Sequence, residues 1–262
     1  MPTPETIFSV KDKVIIITGG AGMLGKEYAA VLSAAGARVA LFDMVDDPRI
    51  LAGANALYRK VDITDREAVF AAVAEIEKEY GRIDVLINNA AVNPVPGSDE
   101  SKNQFLPYED YPEKLWNKEL AVGLSGALFC IQAVVPAMRR QGSGSIINIS
   151  STYGVVAPDN RIYGDGKSKS IGYATTKGAI LNFTRAWASY LRGTGIRVNT
   201  LTPGGAFAGQ PDGFVRAYEE RTILGRMADK TDYNGAILFL ASEASRYMTG
   251  ANLVVDGGWT AW

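Results

Sequence analysis

Tyr173 and Lys177 stand four residues apart in Gly172-Tyr173-Ala174-Thr175-Thr176-Lys177, a spacing that puts both side chains on one face of a helix. An ammonium beside a phenol favours the phenolate and draws its pKa down from about 10 toward working pH. A phenol poised in this way exchanges a proton with an alcohol or a carbonyl. The same spacing also arises from a half-buried ring beside a solvated amine, so the pair gains meaning only from what accompanies it. The chain has no histidine, which excludes His-based triads and His-liganded metal centres; no metal site is expected. Catalysis falls to Tyr, Lys, Ser and carboxylates.

What accompanies the pair lies far upstream. Val14-Ile15-Ile16-Ile17 is a β-branched run of the kind a buried parallel strand requires. Gly19, Gly22 and Gly25 follow at three-residue intervals, and Met23, Leu24 and the residues after them open an amphipathic helix. Strand, glycine turn and helix in that order present backbone N–H groups and a helix N-terminus to a phosphate. A second apolar strand, Arg38 to Asp43, ends in an acid 18 residues beyond Gly25. There a carboxylate accepts hydrogen bonds from a ribose 2′-hydroxyl and repels a 2′-phosphate. No arginine stands at positions 44 to 47, so the expected cofactor is NAD rather than NADP. A surface aspartate opening a turn with Asp46, Asp47 and Pro48 is the alternative.

Alternating elements position these groups. Strand candidates are Val14–Thr18, Val39–Asp43, Ala56–Val61, Val85–Asn88, Ser145–Ser150, Ile196–Leu201 and Leu253–Val255. Helical patterns at Met23–Ala35, Asp65–Tyr80, Tyr111–Arg140, Gly172–Leu191 and Thr231–Ser242 separate them. The alternation predicts an α/β fold: a Rossmann-like, doubly wound parallel sheet of about seven strands with helices on both faces. No linker or repeat divides residues 1–262, so one dinucleotide-binding and catalytic domain is expected. Apolar runs are short, so no membrane span is expected. Net charge is −1 with no basic stripe, so no nucleic-acid partner is expected and the partner is a small-molecule substrate. The N-terminus carries no signal-peptide pattern and the single Cys130 fits a reducing compartment, so a cytoplasmic location is expected. Cys130 sits in an apolar run and reads as packing.

Two segments break the rhythm where ligands bind in open sheets, beyond the carboxyl ends of strands. One, Asn93 to Glu113, is rich in proline and acids; the other, Tyr153 to Ser170, is glycine-rich and carries Arg161, Lys167 and Lys169. Three cations there could clamp a substrate carboxylate or phosphate, or could keep a long loop solvated.

The motifs together resemble the short-chain dehydrogenase/reductase family in its one-domain subtype, including members acting on sugar derivatives. Those motifs are Thr18–Gly25, Asp43, Asp62-Ile63, Asn88-Asn89-Ala90-Ala91, Ser150-Ser151, Tyr173 with Lys177, Pro203-Gly204 and Val255-Asp256-Gly257-Gly258. The resemblance implies an NAD(H)-dependent oxidoreductase interconverting a secondary alcohol and a ketone on a polar, carbohydrate-derived substrate. It implies Tyr173 as general acid/base, Lys177 as ribose ligand and pKa-lowering cation, and Ser151 as hydrogen-bond donor to the substrate oxygen. Asp62 and Ile63, with Asn89 and Ala90, would line the adenosine side, and Pro203-Gly204 would lie near the carboxamide.

The chain departs from the family pattern in places. Position 23 is Met within a Thr-Gly-x-x-Gly-x-x-Gly turn, the Tyr153–Ser170 loop is longer than usual, and Gly205-Ala206 follows Pro203-Gly204 without the usual threonine. Gly123 occupies the position where helix-four members carry an asparagine that joins a water chain to the lysine. An NAD-binding pseudoenzyme or redox sensor of weak activity is the alternative this raises. Trp259 and Trp262 near the C-terminus are expected at the interface of a homo-oligomer, a dimer or a homotetramer.

Overall fold

The computed structural model describes residues 3–46, 56–93 and 105–262. The turn expected at Asp47 and Pro48, and residues 94–104 of the proline-rich loop, lie outside them. After a short helix α1 (Pro4–Ile7), seven strands run in parallel: β1 (Val14–Thr18), β2 (Arg38–Asp43), β3 (Ala56–Lys60), β4 (Val85–Asn88), β5 (Gly144–Ile149), β6 (Ile196–Pro203) and β7 (Asn252–Val255). Their spatial order is β3-β2-β1-β4-β5-β6-β7. The chain builds outward from β1 to β3, then returns to add β4 on the other side. The loops leaving β1 and β4 therefore diverge and open a crevice at their carboxyl ends.

Both faces of the sheet are covered, which is why its central strands are largely apolar, as in the fully buried β1 and β4. Ile15 and Ile17 face α2 (Met23–Ala34), where Tyr28 and Leu32 meet them, and the later helix α9 (Asn234–Ala241) adds Ile237 and Leu240. The alternate residues Val14 and Ile16 face the opposite layer, as the two-residue period of a strand requires. That layer begins with α3 (Arg66–Tyr80), capped by Asp65 Oδ1 accepting from the Ala68 N–H at 3.0 Å and stopped at Gly81, φ 74°.

The helix expected at Tyr111–Arg140 is one long rod in three parts: α4 (Glu113–Leu120), a π-helical turn at Ala121–Ser125, and α5 (Gly126–Gln141). It is long and apolar enough to cross a membrane by length and composition alone, more so than its short apolar runs suggest. Its apolar side is used in the core instead: Cys130, Ile131, Val134 and Met138 are buried against α3 and the sheet. Burial pushes the Cys130 thiol up to about 12, so it packs rather than reacts.

Short α6 (Thr152–Val155) leads toward α7 (Ile171–Tyr190), which completes this layer, and α8 (Asp212–Glu219) lies beyond β6. The sequence pattern did not announce α8. Near the carboxyl ends of the strands a third cluster gathers Tyr153, Ile162, Tyr218, Met227 and Trp259, with Tyr163, Tyr173 and Phe214 against it.

Candidate active site

The glycine turn is shaped by close approach. Gly19 has φ +64°, and a Cβ there would lie 2.8 Å from Ala90 Cα, so only glycine lets the β1 and β4 turns meet. A Cβ on Gly25 would overlap the Gly19 carbonyl oxygen; this glycine lets α2 seat on the turn and does not itself line the cavity. Asp43 closes the turn from β2, accepting from the Ala21 N–H at 2.8 Å and the Met44 N–H at 2.7 Å. From β4, the Asn89 side chain donates to the carbonyls of Thr18 and Gly19, both at 3.1 Å, and the Ala90 N–H donates to Thr18 Oγ1 at 3.2 Å.

These groups line one end of a cavity of about 540 Å³. Gly19, Gly22, Met23, Leu24, Asp43, Asp62, Ile63, Asn89 and Ala90 stand at that end; Ser151, Tyr173, Lys177, Pro203 and Gly204 are also in its wall. Residues separated by almost the whole chain thus share one crevice.

α7 carries the reactive pair. Ser170 caps it, accepting from the Tyr173 N–H at 3.0 Å. One turn further on, Lys177 Nζ lies 5.7 Å from the Tyr173 ring centroid and donates to the Ile149 carbonyl at 2.6 Å. A Cβ on Gly154 would overlap the Lys177 carbonyl, so Gly154 lets α6, and with it Ser151, press against α7. Burial lowers Lys177 to about 8. Burial also raises the Tyr173 phenol, with the Ser151 hydroxyl pulling the opposite way. The Glu119 charge adds to the rise, so the net direction is opposite to the lowering expected from Lys177.

Of the three cations in the Tyr153–Ser170 loop, only Lys169 reaches the cavity. Arg161 is exposed and forks onto Asp159, with Nε and Nη2 both at 2.9 Å, and Lys167 is exposed; neither lines the cavity. Lys169 is 5 % exposed, and its Nζ sits 4.2 Å from the Tyr173 ring centroid. The Ser151–Tyr173 insertion thus delivers a single buried cation rather than a three-armed clamp.

Several site residues escaped the sequence reading. Glu119 of α4 is buried at the N-terminus of α7, where Tyr111 Oη donates to it at 2.7 Å and Ser170 Oγ at 2.6 Å. A Cβ on Gly172 would overlap its carboxylate. Tyr153, Tyr163, Phe214 and Tyr218 form an aromatic wall of the cavity. Trp259 stacks on Tyr218 at 4.2 Å between centroids and is buried, correcting the expectation of an exposed terminus; Trp262 is the exposed one. Tyrosines 153 and 163 fall in the loop singled out for function, but nothing local links them to Phe214, Tyr218 and Trp259.

A family model described as enoyl-(acyl carrier protein) reductase matches residues 20–260. Trans-4-hydroxycyclohexanecarboxylate dehydrogenase of Sinomonas cyclohexanicum is 36% identical over 96% of this chain and 94% of its own. The chain is a short-chain dehydrogenase/reductase. It is an oxidoreductase of that family, and its fold matches solved relatives. A short-chain dehydrogenase from Leptospira borgpetersenii with bound NAD+ has a TM-score of 0.86 at 34% identity, covering 95% of this chain and 93% of that one. A gluconate 5-dehydrogenase from Burkholderia cenocepacia in complex with NADP and tartrate has a TM-score of 0.86 at 28% identity, covering 99% and 100%.

In this short-chain dehydrogenase/reductase the Gly123 departure has a local cause. The backbone there is π-helical, and a Cβ on Gly123 would lie 3.0 Å from Thr176 Cβ and 3.1 Å from its Cγ2. The Thr176 side chain fills the space that an asparagine would need. A small cavity of about 10 Å³, room for about one water, lies between Gly123, Asn88 and Lys177.

Proposed function

We propose that this short-chain dehydrogenase/reductase uses NAD(H) to interconvert a secondary alcohol and a ketone on a polar, carbohydrate-derived or similarly hydroxylated substrate, with Tyr173 as general acid/base. The observation that carries this reading is the placing of Tyr173, Ser151 and Lys177 in the same cavity as the glycine turn and Asp43. The residues fit a dinucleotide. The side-chain-free turn at Gly19 and Gly22 admits a pyrophosphate to backbone N–H groups at the start of α2. Asp43 reaches the cavity with Met44, Val45 and Asp46 after it, a setting that suits a ribose hydroxyl and opposes a 2′-phosphate.

When bound, the nicotinamide supplies hydride acceptance and return. The protein handles the proton and the charge. Ser151 and Tyr173 hold the substrate oxygen between two hydroxyls. In ketone reduction the Tyr173 O–H gives its proton to that oxygen as negative charge develops there. Burial keeps the phenol protonated at neutral pH, which suits this donor role. In alcohol oxidation the proton passes back to the phenolate, and the Lys177 ammonium stabilises that anion. Pro203 and Gly204 close the wall opposite. The hydroxylated substrate class is supported by relatives whose names specify hydroxycyclohexanecarboxylate, a ring hydroxy acid, and gluconate, an open-chain sugar acid.

The test is turnover with NAD+ or NADH across cyclic ketones, ketoses and their alcohols, with Tyr173→Phe as the key variant. The variant should lose at least about 100-fold in kcat, about 3 kcal/mol of barrier, while NAD+ affinity stays within about three-fold. Retention of more than a few per cent of wild-type rate would show that another group moves the proton.

A further inference from the structure

Lys169 is a buried cation of the site that the reaction above does not use. Its ammonium is buried in the cavity wall, and its backbone N–H donates to Asn160 Oδ1 at 2.9 Å. An ammonium carries three donors. One goes to Asn93 Oδ1 at 2.5 Å, and among the described residues no carboxylate lies within ion-pair distance of it. Glu119 acts on it electrostatically, favouring its charge, while its oxygens are engaged by Ser170 and Tyr111. A lysine buried for packing is ordinarily matched by a carboxylate, because an unpaired charge out of water is costly. Here, among the described residues, no carboxylate partner meets it on the side that faces the cavity.

The surroundings say what that partner is. In the cavity wall the cations Lys169 and Lys177 stand beside the Tyr173 ring, while the acid Asp43 closes the glycine turn. Around Lys169 the surroundings are aromatic: the wall residue Tyr163 tilts against Phe214 at 5.4 Å and stacks at 5.2 Å on Phe105 behind it, whose ring is 5.6 Å from Lys169 Nζ. A cation set in an aromatic box receives a compact anion on an apolar frame. We propose that Lys169 is the specificity-determining residue of this site, binding the carboxylate of an alicyclic hydroxy acid about one ring's width from the carbon that Tyr173 serves. This rests on the alcohol–ketone reading above and adds the charge and shape of the substrate to it. Burial lowers the free ammonium to about 7; an arriving carboxylate restores its charge, so binding and protonation reinforce each other.

The test compares the 2-, 3- and 4-hydroxycyclohexanecarboxylates with the matching methylcyclohexanols, using the NAD+-loaded enzyme and its Lys169→Met and Lys169→Gln variants. Wild type should favour at least one carboxylate over its methyl counterpart in kcat/KM. Either variant should lower that preference about thirty-fold or more, as for removal of one partner of a buried charge pair. A loss of equal size for acid and methyl substrates would mean that Lys169 acts on Tyr173 and not on the substrate, and would overturn the proposal. So would a wild type that prefers the methyl compounds. Calorimetry with unreactive cyclohexanecarboxylate supplies a readout independent of turnover: affinity should fall by a similar factor in both variants. If no alcohol is oxidised yet this difference in affinity is present, the alcohol–ketone reading has failed while the carboxylate site stands. If affinity is the same in all three proteins, the site itself is refuted.

Discussion

Replacing Lys169 by methionine should make the protein more stable at neutral pH, because the native fold holds this ammonium against its own solvation. Burial lowers Lys169 from its ordinary 10.5 to about 7. At about 1.36 kcal/mol per pKa unit the cost of holding it protonated has a ceiling of about 5 kcal/mol. Against this, methionine loses the Asn93 hydrogen bond and the contact of the charge with the Tyr173 ring, together about 3 kcal/mol. A net gain of about 2 kcal/mol remains, or about 4–8 °C in Tm for a chain of this size. The sign with pH follows from proton linkage. The folded pKa lies below the unfolded one, so the penalty is complete below about pH 7 and fades as pH rises toward 10.5. Lys169→Met should therefore exceed wild type in urea unfolding at pH 7, and that advantage should vanish or reverse by about pH 10. A variant less stable than wild type at pH 7, or a difference that ignores pH, would refute the reasoning.

Titration with both cofactors should show NAD+ binding more tightly than NADP+, and Asp43→Asn should narrow the gap about ten-fold by removing the charge that opposes a 2′-phosphate; equal affinities in wild type would sink the NAD assignment. Gly123→Asn should destabilise by about 1–3 kcal/mol through overpacking against Thr176, and Thr176→Ala added to it should recover most of that loss in urea unfolding. Stability unchanged in the single variant would mean that the helix yields at no cost, and that the space is not set by Thr176.

The sheet was legible because its signals are local. The β-branched runs at Val14–Ile17 and Val39–Leu41 and the glycine spacing after β1 each declare an element without reference to the rest. Tyr173, Lys177 and Ser151 were legible for the same reason, as motif residues in a fixed order. What was hidden is non-local. Helix α8 is short, and the side chains it buries, among them Tyr218, face an aromatic cluster drawn from three distant segments. Glu119 reads in sequence as one more acid on a helix, and only the approach permitted by Gly172 reveals its burial. Lys169 was visible as a charge beside Arg161 and Lys167, yet charge says nothing of depth: the exposed Arg161 found its partner in neighbouring Asp159, while Lys169 was carried inside by the turn into α7.

That turn has a geometric consequence. Tyr173 and Lys177 lie one turn apart within α7, so their separation is set by the rise and pitch of the helix, while Lys169, just ahead of the Ser170 cap, is held by its own contacts with Asn160 and Asn93. The helix is a ruler that carries the phenol and Lys177, and Lys169 is pinned beside its first mark. Discrimination would then operate between positional isomers of one compound, since the distance from charged group to reacting carbon is fixed before any ligand arrives.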